Sequence, residues 1–261
     1  MQYPNIDPVA LSIGPVQLHW YGLMYVFAFA AGWLLGRWRA SRQWSGWKAE
    51  QVDDYVTWVM LGVILGARLG YVLFYDLPVY LSDPLEVFRL WNGGMSFHGG
   101  LIGVVTVSWL WGRRNGKTLV DILDFVAPLV PTGLLFGRIG NFINGELWGR
   151  VTDAPIGMVF PHAGPLPRHP SQLYEAGLEG LLTFVILWIY SSKPRPHGSV
   201  AGLFAVLYSL SRMFVEFFRM PDAQIGYLFG GWLTMGQVLC LPLFAAGLWL
   251  ILRARNRPER R

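Results

Sequence analysis

Long apolar runs constrain this chain more than any other feature of its sequence. A helix needs roughly 20 mostly apolar residues to cross a membrane, and the segments that approach this are 18–36, 55–75, 97–111, 119–137, 172–190, 199–218 and 232–252. Only 14% of the residues are charged, against about 25% in a typical soluble domain. The sequence therefore predicts an all-α integral membrane protein with about seven transmembrane helices.

Lysine and arginine alternate between rich and sparse loops along these segments. The first 17 residues contain neither, the loop after the first segment contains four, and the next contains Arg89 alone. The tail RARNRPERR contains five. Because basic loops stay on the cytoplasmic side, we expect a periplasmic N-terminus, a cytoplasmic C-terminus and extracytoplasmic loops near 76–96, 138–170 and 219–231. With no linker or internal repeat, residues 1–261 are predicted to form one polytopic membrane domain.

Several classes of function have no support in the sequence. The net charge of +5 comes from short basic clusters between apolar runs, a pattern that favours membrane topology over nucleic-acid binding. The chain has no HExxH, CxxC or histidine-rich motif, and no P-loop or GxGxxG followed by a helix, so we predict neither a metal nor another cofactor. Its single cysteine, Cys240, lies within an apolar run and has no neighbouring base.

One segment concentrates polar residues directly after an apolar run. Residues 137–150, GRIGNFINGELWGR, contain two arginines, two asparagines, one glutamate and four glycines. The predicted topology places this segment where the fourth span meets the outer face. We call it the signature segment.

Ionisable residues inside predicted spans are a second sign of a site, since each costs about 2.5–3.5 kcal/mol on insertion scales. They are Arg68, Asp121, Asp124, Glu175, Glu179, Arg212, Glu216 and Arg219. The last three follow one another at i+4 and i+3 and so share a helical face. Two interpretations stay open: an ion-pair ladder that locks helices together, or an anion site. In the second, Glu216 orients two arginines that keep a net positive charge, and Arg138 completes the site through guanidinium–phosphate contacts.

Two further residues are ambiguous from the sequence alone. His98 begins HGGLIG; it is either structural or a proton acceptor with space beside it for a ligand. Tyr21 follows Trp20 at the start of the first span, where aromatic residues commonly form an interfacial belt.

Five motifs in this order within a seven-helix frame resemble the bacterial prolipoprotein diacylglyceryl transferases. They are HWYGLMY, FHGGLIG, GRIGNFINGELWGR, HPSQLYEA and YSLSRMFVEFFRMPD. The resemblance covers nearly the whole chain, and the signature segment is its most specific part. It implies a multi-pass inner-membrane enzyme without a cofactor. Such an enzyme moves the diacylglyceryl group of phosphatidylglycerol onto the lipobox cysteine of a prolipoprotein, at the periplasmic face. Glycerol phosphate leaves and a thioether forms.

The resemblance also implies roles for individual residues. The catalytic residues would be His98, Arg138 and Arg212, and the substrate-binding residues would be Tyr21, Asn141, Glu146, Gly149, Tyr208, Glu216 and Arg219. Arg138 and Arg212 would hold the phosphate and stabilise the charge that develops on it. His98 is the candidate base for a cysteine thiol, whose pKa is ordinarily near 8.5. The alternative is that the arginines lower the thiol pKa and His98 positions the lipid.

Two other functions fit part of the charge pattern. A transporter or flippase for an anionic lipid or organic acid would also use buried arginines beside a broken helix, but its charges would lie near the membrane midplane and an inverted repeat would be expected. A non-catalytic assembly factor would not need His, Arg, Asn and Glu at one depth. Release of glycerol phosphate in the presence of a lipobox peptide distinguishes the enzyme from both.

Overall fold

The computed structural model describes residues 1–14, 16–221, 226–228 and 230–255, and most of them are helical. A short antiparallel hairpin comes first, with strands β1 (Val9–Ile13) and β2 (Val16–His19). The α-helices are α1 (Trp20–Ala40), α2 (Ala49–Phe74), α3 (Leu77–Ser82), α4 (Phe97–Arg114), α5 (Leu119–Val126), α6 (Val130–Ile143), α7 (Ser171–Glu175), α8 (Thr183–Tyr190), α9 (Ser199–Val215) and α10 (Met235–Arg255). A π-helix, Ala176–Leu182, joins α7 to α8.

All seven predicted apolar segments coincide with helices in the described residues. Three continuous helices are long and apolar enough to cross a membrane, namely α2, the helix Ser171–Tyr190 and α10, and the bent pair of α5 and α6 makes a fourth if it counts as one span. The helical membrane class is therefore confirmed. The count of seven spans and their orientation stay predictions, because α1 is rich in Trp, Tyr and Gly, α4 ends in two arginines, and α9 has only 17 residues.

The predicted fourth span, 119–137, is broken into two helices. The axes of α5 and α6 differ in direction by 56°, and the break contains Pro128, with Pro131 in the first turn of α6. Proline lacks the N–H that continues the helical ladder and its ring clashes with the preceding turn. The bend gives α6 its own direction, and α6 carries Arg138 and leads into the signature segment.

Contacts divide the chain into two compact units. The first unit comprises Met1–Gly36 together with Leu123–Arg261, and the second comprises Arg37–Ile122. A single domain over 1–261 stays a prediction. The hairpin in the first unit was not predicted; its turn follows Ile13 at Gly14, whose φ of +58° suits glycine.

The second unit is built on a close contact between α2 and α4. A Cβ added to Gly66 would strike the backbone of Gly99 and Gly103, and one added to Gly103 would strike that of Gly62. Small residues spaced four apart allow this approach between membrane helices. Backbone packing thus takes the place of interdigitating side chains along this pair.

Arg68, one of the ionisable residues inside a predicted span, has a structural role. Its side chain is buried and donates hydrogen bonds to five backbone carbonyls, of which Val87 O lies 2.9 Å from Nε and Gly94 O lies 3.0 Å from Nη1. All five carbonyls lie in 86–94. The guanidinium therefore fastens this segment to α2, because a buried charged group needs hydrogen-bond partners.

The two aspartates of the broken span cap helices. Asp121 Oδ2 accepts hydrogen bonds of 2.7 Å from both the backbone N–H and the hydroxyl of Thr118 at the start of α5. Asp124 accepts from the N–H groups of Gly198 and Ala201, at 2.6 and 2.9 Å, at the start of α9. Both carboxylates satisfy N–H groups that a helix leaves without an internal partner.

Candidate active site

The helix Ser171–Tyr190 brings two carboxylates into the interior of the first unit. Glu175 ends α7 and Glu179 lies four residues later in the π-helix, and both are 0% exposed. A π-helical turn inside an α-helix is rare and occurs frequently at functional sites. Two carboxylates buried among apolar helices require cationic partners, since an isolated buried charge is costly.

Arg138 of α6 supplies one of these partners. Its Nε lies 2.7 Å from Glu175 Oε2, and its Nη2 lies 3.8 Å from Glu179 Oε2. The helices can approach because the π-helix has Gly180 at the crossing, where an added Cβ would lie 2.8 Å from Leu135 Cα. The first arginine of the signature segment is therefore held by the glutamate pair.

Arg212 and Arg219 approach the same carboxylates from the other side. Arg212 Nη1 lies 2.8 Å from Glu175 Oε1, and Arg212 Nη2 lies 3.0 Å from Glu216 Oε2. Arg219 Nε lies 3.6 Å from Glu175 Oε1. Arg138, Arg212, Arg219, Glu175, Glu179 and Glu216 form what we call the ion cluster.

The ion cluster has no formal net charge, since it contains three arginines and three glutamates. This differs from the anion site expected from the sequence, in which two arginines kept a net positive charge around one glutamate. The arginine side chains remain 10–19% exposed whereas the glutamate side chains are 0–6% exposed. Each guanidinium carries five N–H donors. The glutamates therefore form the more deeply buried side of the ion cluster, and Arg138 and Arg212 can offer further N–H groups to an anion on the accessible side.

A second polar group lies in the middle of the signature segment. The Asn141 side-chain amide donates to Glu146 Oε1 at 2.9 Å, and the Asn144 amide lies 3.4 Å from the same oxygen. The Tyr21 hydroxyl hydrogen-bonds the Asn141 side chain. Tyr21 reaches this position because α6 has Gly140 there, where an added Cβ would lie 3.1 Å from the Tyr21 ring. Three residues that the family resemblance singled out are thus linked, because Tyr21 and Glu146 both hydrogen-bond Asn141.

The end of the signature segment is fastened to the chain just before α7 and to the chain that follows α9. The backbone N–H of Gly149 donates to His169 O at 2.8 Å, and Arg150 donates from Nε to Arg219 O at 2.9 Å and from Nη2 to Glu216 O at 3.0 Å. A Cβ on Gly149 would strike the carbonyl oxygens of Phe218 and His169. Glycine is required at position 149 because the chain passes too close to these two carbonyl groups for a side chain to fit.

Tyr208 and His98 complete the set of predicted residues. Tyr208 lies on α9 one turn before Arg212, is half-buried, and stacks on Phe204 with ring centroids 5.9 Å apart. His98 belongs to the second unit, where it is the second residue of α4; its imidazole is exposed and contacts the Phe97 ring edge-on.

His169 borders the crossing at Gly149 and lies outside the helices. Its Nδ1 is 3.0 Å from the Tyr174 hydroxyl, and its ring meets Phe218 edge-on at 5.1 Å. Partial burial against these rings lowers the pKa of the His169 imidazole, because desolvation disfavours the charged form. Across the described ranges, this site included, no three His, Cys, Asp or Glu side chains are grouped to hold a metal ion.

Comparison with known proteins decides the family. A family model described as prolipoprotein diacylglyceryl transferase matches residues 8–253. The chain is 64% identical over 251 residues to the phosphatidylglycerol–prolipoprotein diacylglyceryl transferase of Nitratidesulfovibrio vulgaris strain DP4, which covers 96% of this chain and 95% of the relative. It is 58% identical over 257 residues to the enzyme of that name from Pseudomonas paraeruginosa, covering 98% and 97%. The chain belongs to the prolipoprotein diacylglyceryl transferase family.

In this transferase, sequence reasoning missed three residues of the site. Glu175 and Glu179 were recognised as charges inside a span but were not joined to the arginines, and Arg150 was given no role. The signal for the glutamates was present, since two carboxylates at i and i+4 in an apolar helix must find cations. For Arg150, nothing in the sequence shows whether the side chain bonds backbone carbonyls, as it does here, or a ligand.

Proposed function

We propose that this transferase moves the diacylglyceryl group of phosphatidylglycerol onto the lipobox cysteine of a prolipoprotein, with the lipid phosphate bound at the ion cluster. One observation carries the proposal. Arg138 of α6 converges on Glu175 with Arg212 and Arg219, which come from a distant part of the chain. The signature segment contributes Arg138 from one end and contacts the ion cluster with Arg150 from the other. An anionic lipid headgroup needs an arginine-rich site beside apolar helices, and this arrangement provides one.

The reaction exchanges one bond for another. The acceptor sulfur attacks the glyceryl carbon of the lipid, an S–C bond forms, and the C–O bond to the phosphate breaks. Its electron pair leaves on glycerol phosphate. Negative charge therefore grows on the phosphate oxygens, where Arg138 and Arg212 stabilise it without reorganising, because buried glutamates already hold both guanidinium groups.

The remaining residues act on binding and on the proton. Glu146, held by Asn141, offers a carboxylate oxygen to the hydroxyls of the headgroup or to the N–H groups of the incoming peptide, and Tyr21 borders the same group. Tyr208 contacts substrate from α9, and Arg219 provides a further phosphate contact. His98 takes the thiol proton as general base, a role that rests on the family motif FHGGLIG and on its exposed imidazole.

The site faces the periplasm in this proposal, in a protein of seven spans with a periplasmic N-terminus and a cytoplasmic C-terminus. The alternation of basic loops supports this. The ion cluster lies near the C-terminal ends of α6 and α9 and in the first half of the helix Ser171–Tyr190, and the same rule assigns each of these ends to the outer side.

The experiment is an assay of glycerol phosphate release by the purified full-length protein in phosphatidylglycerol micelles with a lipobox peptide. We expect release by the wild type, none when the peptide cysteine is replaced by serine, and a loss of about 100-fold or more in Arg138→Ala. Arg195→Ala is the matched control, because Arg195 is half-buried like Arg138 but, among the described residues, contacts the carbonyl and ring of Tyr190 and not the ion cluster. Lack of release by folded wild type would reject the enzyme and favour a carrier for anionic lipids.

A further inference from the structure

The signature segment contains a strained residue. Leu147 has a φ of +57° and is the one non-glycine residue with positive φ among the described residues. In this left-handed conformation the Cβ of an L-residue crowds the backbone. Such a conformation persists only where the surroundings hold it, and it is concentrated at functional sites. Leu147 directly follows Glu146, so its conformation decides where the Glu146 peptide and side chain point.

Two adjacent side chains of the HPSQLYEA motif donate hydrogen bonds to the backbone carbonyls of Glu146 and Leu147, the peptide groups before and after the strained φ. Ser171 Oγ donates to Leu147 O at 3.0 Å, and Gln172 Nε2 donates to Glu146 O at 2.6 Å. Both side chains belong to residues that are 0% exposed. Because the donors are shielded from water, these two hydrogen bonds fix the orientation of the two peptide groups.

The same stretch, residues 169–172, also holds Gly149, two positions after Leu147. His169 O accepts the N–H of Gly149 at 2.8 Å, while the N–H of Glu146 donates to Asn141 O at 3.0 Å. The loop is therefore held from two directions, by the end of α6 and by the residues that start α7. Among the described residues, neither side chain hydrogen-bonds a charged group of the ion cluster, so charge does not explain the two residues.

We propose that Ser171 and Gln172 are positioning residues, which hold the left-handed turn at Leu147 and thereby aim the Glu146 carboxylate toward Asn141 for substrate binding. The inference rests on the proposed function through the role of Glu146. It assigns the HPSQ part of the motif to the geometry of the signature segment, and the strain at Leu147 makes that assignment testable.

The first test removes each donor in the full-length enzyme. We expect Ser171→Ala and Gln172→Met to lower kcat/KM about three- to tenfold each, which corresponds to the loss of one hydrogen bond. The effect should fall mainly on KM for the lipid or the peptide, because the donors orient a binding residue. Ser199→Ala is the matched control: Ser199 is also buried, and its hydroxyl has no hydrogen bond among the described residues. Wild-type kinetics in both donor variants would overturn the proposal.

The second test uses the strained residue itself. Glycine adopts positive φ without crowding, so Leu147→Gly should restore most of the activity lost in Ser171→Ala when the two are combined. Leu147→Val, which places a β-branched residue at positive φ, should lower activity with Ser171 and Gln172 intact. If the glycine restores nothing in a protein that melts like the wild type, Ser171 does not act through the Leu147 turn and the inference is wrong.

A third measurement does not depend on activity. Amide hydrogen exchange of the peptide that covers 144–150 should speed up in Ser171→Ala and Gln172→Met and remain unchanged in Ser199→Ala, because the turn opens when its donors are lost. Faster exchange in an enzyme without transfer activity would support the inference while rejecting the proposed function. If exchange of 144–150 is unchanged in the two donor variants and the wild type transfers normally, the positioning role of Ser171 and Gln172 is wrong and the proposed function is unaffected.

Discussion

Glu175 contacts all three arginines of the ion cluster. It lies within 2.8 Å of Arg138 and Arg212 and 3.6 Å from Arg219, and none of its surface is exposed. Burying ions is costly, and removing one partner leaves the others uncompensated. At the scale of a residue, then, Glu175 determines whether three guanidinium groups can remain inside the first unit.

We therefore predict that Glu175→Gln destabilises the protein by about 3 kcal/mol or more, because the half-buried Arg138 and the buried Arg212 lose their nearest countercharge. The measurement is thermal unfolding in detergent, with Glu50→Gln as the control, since Glu50 is exposed at the start of α2. An equal melting temperature for Glu175→Gln and wild type would mean that the arginines do not depend on this carboxylate.

His169 gives the stability a pH dependence. Its pKa is lowered in the folded protein by burial, so the unfolded chain binds more protons between that value and about 6.5. The stabilising contribution is present above the unfolded pKa and is lost as pH falls toward the folded one. We predict that the wild type melts at a lower temperature at about pH 5.5 than at pH 7.5, and that His169→Asn reduces this difference. An identical difference in the variant would exclude His169 as its source.

Elements contribute through how closely they pack. The α2–α4 pair brings glycine backbones together at Gly66, Gly99 and Gly103, and the same device lets the π-helix approach α6 at Gly180. Helices at ordinary separation would leave their polar side chains several ångströms farther apart. The ionic contacts of the first unit thus depend on a small residue at a helix crossing.

We predict that Gly66→Ala destabilises the protein by about 1–3 kcal/mol, the usual range for overpacking, because an added Cβ would strike the backbone of α4. Gly32→Ala in α1 is the matched control, since a Cβ there has open space within 4 Å and alanine is the better helix former. Thermal unfolding of the two variants measures the contrast. Equal melting temperatures would mean that α2 and α4 can separate without loss.

At the scale of the whole molecule, topology is the property to test. The protein has one cysteine, Cys240, which is buried in α10, so a Cys240→Ala background allows single-cysteine labelling. Ser41, Ser82 and Ser192 are exposed residues in three different loop regions. The positive-inside rule assigns Ser82 to the periplasm and the other two to the cytoplasm.

We predict that a membrane-impermeant thiol reagent labels Ser82→Cys in spheroplasts, and that it labels Ser41→Cys and Ser192→Cys only after lysis. The Cys240→Ala protein itself is the control for background labelling. Labelling of Ser41→Cys before lysis would invert the predicted orientation, and labelling of all three would show that the count of seven spans is wrong.

Sequence reasoning succeeded where the information is local. Apolar runs located every long helix, because a span must satisfy its own backbone, and the i, i+4 spacing of Arg212 and Glu216 anticipated their 3.0 Å ion pair. The motifs identified the family over nearly the whole chain. The break between α5 and α6 at Pro128 could be predicted only in part, since proline indicates where a helix breaks but not the angle between the two helices.

What the sequence by itself determined is therefore the membrane class, the position of the helices and the family; what only the tertiary structure decided is which charges meet. The contacts of Glu175 with Arg138 and Arg219 join residues 37 and 44 positions apart, and Ser171 bonds Leu147 across 24. Such contacts depend on helix crossings, on glycines that let backbones touch, and on the π-helix that orients Glu179. These are properties of packing in three dimensions, and the hydrophobic periodicity of a single chain does not predict them.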